Sequence, residues 1–346
     1  MIKRKVISWA AAALLTSILA GCGTGMGAEG ETVTVYTSRH YAADQALYAA
    51  FTEQTGIRVT EVKGTPQELM ERLRHEGEST GGDLFVTVDV AAMAQAKRDG
   101  ILQRVQSAAI EEQVPARWRD ADGQWVGLAA RARVIVYDRE RVDRDRLRTY
   151  RDLADEQWRG RVVMRSSANQ YNLSLMASMI GQEGEDAARE WAEGIASNLA
   201  GAPAGGDREQ ALLLADGVGD VSLMNTYYIG QMLASEHREQ RIAASRLGIV
   251  FPDAASGGTH VNLSGIGLLK HAPNPSGATR LIEFMTSQEG QSMLSALSYE
   301  YPVHPLADMP TVLREWGELQ PQALDYDLLG ELQVEAAALV EGTGWD

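Results

Sequence analysis

Alternation of apolar and polar side chains along Thr32-Val33-Thr34-Val35-Tyr36 predicts a β-strand with every second residue on one face. From Asp44 to Thr55 the spacing becomes helical, with Leu47 and Phe51 on one face and Gly56 as the stop signal. Ile57 to Val62 returns as a strand. Thr65-Pro66-Gln67-Glu68 then has the form of a capping box with proline at the first helical position, and it opens a helix through Leu69, Met70 and Leu73. Asp83 to Val88 is the next strand, and Val90 to Asp99 the next helix, ended by Gly100. Such β-α-β-α-β-α alternation predicts a mainly parallel sheet flanked by helices.

A second α/β unit begins after the strand Arg133-Val134-Ile135-Val136-Tyr137. Within it, Arg161-Val162-Val163-Met164 leads into a helix that contains Tyr171, and Gly219-Asp220-Val221-Ser222-Leu223-Met224 leads into one that contains Tyr227 and Tyr228. Counting the junction at Arg39-His40-Tyr41, three β-to-α junctions deliver tyrosine. Ligands of open parallel sheets gather at the carboxyl ends of strands, where helices begin, so these phenols are expected to share one crevice. A phenol titrates near pH ~10, which makes converging phenols of little use to an organic ligand. Beside a highly charged cation they become hard anionic oxygens.

Composition narrows the field. A chain of 346 residues suffices for two lobes that each bury a core, and its 45% hydrophobic content is that of a globular protein. The net charge of -15 argues against nucleic acid or an anionic membrane surface as partner, since both select basic surfaces. Lys3, Arg4 and Lys5 form a basic n-region and Val6 to Ala20 an apolar h-region; Leu19-Ala20-Gly21-Cys22 then reads as a lipobox. Cys22 is the one cysteine, so no intramolecular disulfide and no cysteine-based metal site can form. The expectation is a signal peptide over 1–22, lipidation at Cys22, a Gly-rich tether over 23–31, and export to the periplasm or cell surface with a lipid anchor as the sole membrane attachment.

These motifs together resemble the periplasmic ferric-iron-binding proteins of bacterial ABC importers, in particular their tyrosine-rich subfamily. The resemblance runs from Thr32 to Val303. It includes Gly258-Thr259-His260-Val261-Asn262-Leu263-Ser264-Gly265-Ile266-Gly267, Lys270-His271-Ala272-Pro273-Asn274 and Tyr299-Glu300-Tyr301-Pro302-Val303. What it implies is an α/β, two-lobed periplasmic-binding-protein fold, hinged by strands that cross near Arg131–Val134 and Pro252–Gly258. Residues 32–132 and 258–305 would form one lobe, and 133–257 with 306–346 the other. Iron would sit between them, with the lobes closing about the hinge.

Carried over by motif, the implied ligands of Fe3+ are Tyr41, Tyr171, Tyr227 and Tyr228, with His40 as a nitrogen donor. Four phenolates around a trivalent ion leave about one net negative charge, which needs a nearby cation. Arg39 and Arg131 are the candidates, with Arg131 favoured by the family pattern. Gln231 stands where the subfamily often has arginine, which predicts weaker charge compensation and a strong ferric preference. His260, His271 and His304 lack metal-ligand spacing and are expected to be structural. The implied partners are an ABC permease and ATPase, with the binding protein itself a monomer; whether an anion completes the iron site is left open. Two other functions compete: binding of a small organic or oxyanionic solute, and metal-dependent hydrolysis by a secreted enzyme. Against the enzyme, the chain has no Gly-x-Ser-x-Gly, no His-Glu-x-x-His and no phosphate-binding glycine loop.

Overall fold

The computed structural model describes residues 31–346. The expected signal peptide, most of the tether and Cys22 lie outside the described residues. The described residues begin with β1 (Thr32–Thr37), α1 (Ala42–Thr55), β2 (Arg58–Lys63), α2 (Pro66–Glu76), β3 (Leu84–Thr87) and α3 (Val90–Arg98), which reproduces the alternation expected from the pattern. Local signals account for the boundaries. Gly56 closes α1 in the left-handed conformation at φ 76, where a side chain would be strained. Thr65 and Glu68 form the reciprocal capping box at the start of α2.

After β4 (Leu102–Gln103) and α4 (Ala108–Gln113) comes β5 (Trp125–Asp138), whose fourteen residues are all buried. This strand is shared. Its first half, Trp125 to Ala132, pairs with β8 (Val261–Leu269) and β9 (Tyr301–Pro302). Its second half, from Arg133, pairs with β6 (Val221–Asn225) and β7 (Leu247–Val250). Between β7 and β8 the chain crosses back through His260, whose carbonyl accepts from Arg133 N at 2.9 Å. The first sheet therefore runs β2-β1-β3-β8-β5, and the pairing across the crossing places Arg131 opposite Asn262.

Parallel pairing is confined to β1 with β2, β1 with β3, and short bridges at Val162 and Thr259. The other ladders among the described residues are antiparallel: β8 runs against β3, β4 and β5, and β6, β7 and β9 run against β5. The sheet is thus mixed. The run Arg161–Met164 is not a regular strand: Val162 alone bridges Leu199 and Val221. The chain leaves the sheet after this contact and turns at Ser166–Asn169 into a helix.

Between β5 and β8 the helices are α5 (Gln170–Glu183), α6 (Glu185–Asn198), α7 (Asp207–Ala215), α8 (Thr226–Leu233) and α9 (Arg238–Arg246). After β8, α10 (Pro275–Thr286) and α11 (Gln288–Ser298) pack beside α1. The tail forms α12 (Thr311–Glu315), α13 (Tyr326–Glu331) and α14 (Gln333–Glu341). α14 packs on α5 and α6, whereas α13 touches both α3 and α5. Tyr326 also donates to Arg117 O at 3.1 Å and sets its ring edge-on to Trp125. The tail thus touches α3 and β5 as well as α5 and α6.

Candidate metal centre

Each candidate tyrosine stands at the start of a helix. Tyr41 is the extended residue that caps α1, with no side-chain cap bond to hold its phenol. Tyr171 is the second residue of α5, its N–H donating to Asn169 Oδ1 at 3.0 Å. Tyr227 and Tyr228 follow Thr226 in the first turn of α8. All four, with His40, line one cavity of about 660 Å3.

The rings of Tyr227 and Tyr228 lie 4.1 Å apart at 31°, so both face the same side of the helix end. Tyr41 meets Tyr227 edge-on at 6.1 Å. Tyr171 and Tyr227 are buried, with 5% and 3% exposure, while Tyr41 and Tyr228 are half-buried. His40 is exposed; its ring stacks on Tyr41 at 5.7 Å and its Nδ1 is 3.2 Å from Ser38 O. Among the described residues no group of three His, Cys, Asp or Glu side chains is arranged to hold a metal, which leaves the phenols as the hard-oxygen donors.

The two arginines singled out as charge partners have different surroundings. Arg39 is buried, with its fork on Asp44 at 3.1 Å and Glu300 at 2.9 Å; its guanidinium carbon lies 4.7 Å from the Tyr41 ring centroid. Arg131 is also buried. It donates from Nη1 to the Tyr171 hydroxyl at 3.5 Å, from Nη2 to Ser264 Oγ at 3.0 Å and to Val88 O, and from Nε to Asn262 O at 3.3 Å. Glu300 Oε1 lies 3.4 Å from Arg131 Nε. Of the pair, Arg131 is the one whose nitrogen approaches a candidate ligand oxygen.

Sequence reasoning missed a second group of charges. Arg133 and Arg165 both pair with the buried Asp207, at 2.7 and 3.1 Å, and Asp207 also accepts from Asn225 N at the base of α8. The Arg165 guanidinium carbon is 5.6 Å from the Tyr171 ring centroid. Arg208 lines the cavity with its guanidinium carbon 5.8 Å from the Tyr228 ring centroid and donates to Gln231 Oε1 at 3.0 Å. Gln231 is therefore beside an arginine, so a guanidinium does stand near this position of the cavity. Arg133 could have been suspected from Arg131-Ala132-Arg133, since alternate residues of a strand share a face. Nothing local marks Arg165, Asp207 or Arg208, which the fold alone brings to the tyrosines.

These surroundings keep the phenols of Tyr41, Tyr227 and Tyr228 protonated. Burial, together with Tyr171 and Glu300, raises Tyr41 against the pull of Arg131 and Arg39. Burial and the neighbouring phenols raise Tyr227 as well. Tyr228 is raised by burial, Tyr171 and Asp207, with Tyr227 and Arg165 acting to lower it. Burial opposes the charge of Arg131, but the ionised carboxylate of Glu300 beside it helps to hold the guanidinium protonated. Glu300 is buried too, and Arg39 and Arg131 hold it ionised, with its pKa below the usual carboxylate range. The arrangement is a set of neutral phenols backed by fixed cations, able to give up protons to a strongly charged cation but not to water.

Residues 81–321 match the family described as bacterial extracellular solute-binding protein. The chain belongs to that family. It is 40% identical over 337 residues to iron uptake protein A1 of Synechocystis, covering 95% of this chain and 94% of the relative. Against the major ferric iron-binding protein of Neisseria meningitidis the identity is 28% over 278 residues, 79% of this chain and 81% of the other. A Trichodesmium protein solved in complex with iron and citrate ligands superposes with a TM-score of 0.86 at 38% identity, covering 91% of this chain and all of that one. As a member of the extracellular solute-binding family, the chain has the two-lobed α/β fold implied by the resemblance.

Proposed function

We propose that this solute-binding protein captures ferric iron between its lobes and delivers it to the permease and ATPase of an ABC importer. One observation carries the reading: Tyr41, Tyr171, Tyr227 and Tyr228 enter a single cavity from three helix starts, with His40 at its rim. The names of the relatives support it. In this reading the four phenolates and the His40 imidazole are the ligands, and Arg131, Arg165 and Arg208 offset the residual negative charge. The hinge is the shared strand β5 with the return through His260. The first lobe comprises 32–132 and 258–305; the second comprises 133–257 and the tail, which touches both.

The role is capture rather than catalysis. The cavity volume leaves room for a carboxylate co-ligand beside the metal, with Lys63 and Arg208 on its lining, but that anion is a secondary feature of the proposal. Export and attachment through a lipidated Cys22 complete the account. Replacement of Cys22 by serine is expected to abolish acylation, and mass spectrometry of the mature protein checks it.

Because a phenol is protonated at neutral pH, iron binding must displace a proton from each one that ligates. Apparent affinity should fall roughly tenfold per pH unit for every proton displaced as the solution is acidified. Metal analysis and a visible spectrum of protein loaded with ferric chelate test the assignment. A solute that merely stacks on the tyrosines gives no phenolate-to-iron band.

A further inference from the structure

Three residues beyond Tyr227, α8 carries Gly230, and a Cβ built there would lie 2.7 Å from Tyr299 Cδ1 and 2.8 Å from its Cβ and Cγ. The Tyr299 side chain thus rests directly on bare helix backbone, a contact that glycine alone permits. Tyr299 ends α11 in the left-handed conformation, φ 62 and ψ 23, a strained state for a residue with a side chain. Strain of this kind persists where surrounding contacts impose it.

The contact is reinforced on both sides. Gln231 Nε2 donates to Ser298 O at 3.2 Å, and Glu300 holds Arg39 at 2.9 Å and Arg131 at 3.4 Å. Residues 298–300 therefore join α8 to the arginines behind Tyr41 and Tyr171. α8 otherwise packs on β5, β6, α7 and α9, whereas α11 packs on α1, α10 and β9. The junction spans the cleft, one turn from the tyrosine pair.

We infer that Gly230 and Tyr299 are positioning residues: their contact sets the Tyr227–Tyr228 helix against Tyr41 and holds the lobes in the geometry that retains iron. The inference rests on the ferric reading for its cargo, though not for its geometry. Gly230→Ala drives a methyl group into Tyr299 and should force the two segments apart. Tyr299→Gly in that background removes all three clashing atoms and suits the left-handed backbone.

Solution scattering in the iron-free and iron-loaded states, with iron release to excess chelator, tests this. Gly230→Ala is expected to have the larger loaded radius and to release iron on the order of tenfold faster. The double variant should return towards wild type on both readouts. Gln231→Ala, which leaves the helix backbone untouched, supplies a second arm should Gly230→Ala fold poorly: it should release iron faster with an unchanged melting temperature. Wild-type radii in both states and wild-type release for Gly230→Ala, or for Gln231→Ala in that event, would overturn the inference. A wild type with no phenolate-to-iron band would overturn the ferric reading instead, and the iron-free radii would still decide whether the contact holds the lobes.

Discussion

Beneath Tyr41, two buried arginines meet two buried carboxylates: Arg39 with Asp44 and Glu300, and Arg131 with Glu300. Across the cavity the ratio differs. Arg133 and Arg165 share the single carboxylate of Asp207, and Arg208 stands over Tyr228 with no ion pair among the described residues. One wall is close to neutral and tightly bonded, while the other carries excess positive charge beside the adjacent pair of phenols. Charge that would collect on a ferric ion with four phenolates is thus answered mainly from the second wall. On the first, apart from the contact of Arg131 with the Tyr171 hydroxyl, each ion is committed to holding another in place. Substitutions in the first wall should therefore be felt as stability, and those in the second as metal binding.

Arg131→Gln should have the largest effect. It leaves Glu300 with one buried partner instead of two, and breaking a buried pair costs about 3–5 kcal/mol. Thermal or denaturant unfolding of iron-free protein checks this, and an unchanged midpoint would erase the distinction between the walls. Tyr227→Phe and Tyr228→Phe come next: each removes an anionic oxygen with little change of shape. A loss of ferric affinity on the order of 100-fold or more is expected, above the 10–100-fold typical of outer-shell changes. Tyr326→Phe, whose phenol packs on Trp125 away from the cavity lining, is the control and should bind as wild type.

Between the walls, His260 supplies a test by pH. Burial lowers its pKa from 6.5 to about 4. An imidazole whose folded pKa is depressed favours the folded state above pH 6.5 and loses that contribution as pH falls towards 4. The loss should approach about 3 kcal/mol across that window, and His260→Asn should flatten this part of the stability profile. Arg208→Gln should be smallest on unfolding and confined to metal: roughly tenfold weaker ferric binding with an unchanged melting temperature. Gln231→Arg sharpens the same point, because it sets a second guanidinium beside Arg208 and forfeits the bond to Ser298. It should weaken retention rather than improve it.

Much of the neutral wall was legible in sequence, and little of the positive one. The β1 to α3 alternation, the Thr65 capping box and the Gly56 stop are local signals, and Arg39 and Tyr41 sit within them. The tyrosines of the second lobe were likewise marked by the runs before them, although Arg161–Met164 supplies a bridge where the pattern suggested a strand. Arg165, Asp207 and Arg208 carry no such mark. Their role depends on β5 passing from one sheet into the other and on α7 packing against α8, contacts between residues far apart in the chain. The meaning of Gln231 was hidden for the same reason, since its partners Arg208 and Ser298 lie 23 and 67 residues away.

Ligation of ferric iron by these tyrosines as phenolates can be followed by a visible-absorption titration with ferric chelate. A phenolate-to-iron charge-transfer band should saturate at one iron per chain, be lost on reduction, and be displaced or greatly weakened in a Tyr171→Phe, Tyr227→Phe, Tyr228→Phe triple variant. Absence of the band from iron-saturated wild type, or its persistence unchanged in the triple variant, would contradict it.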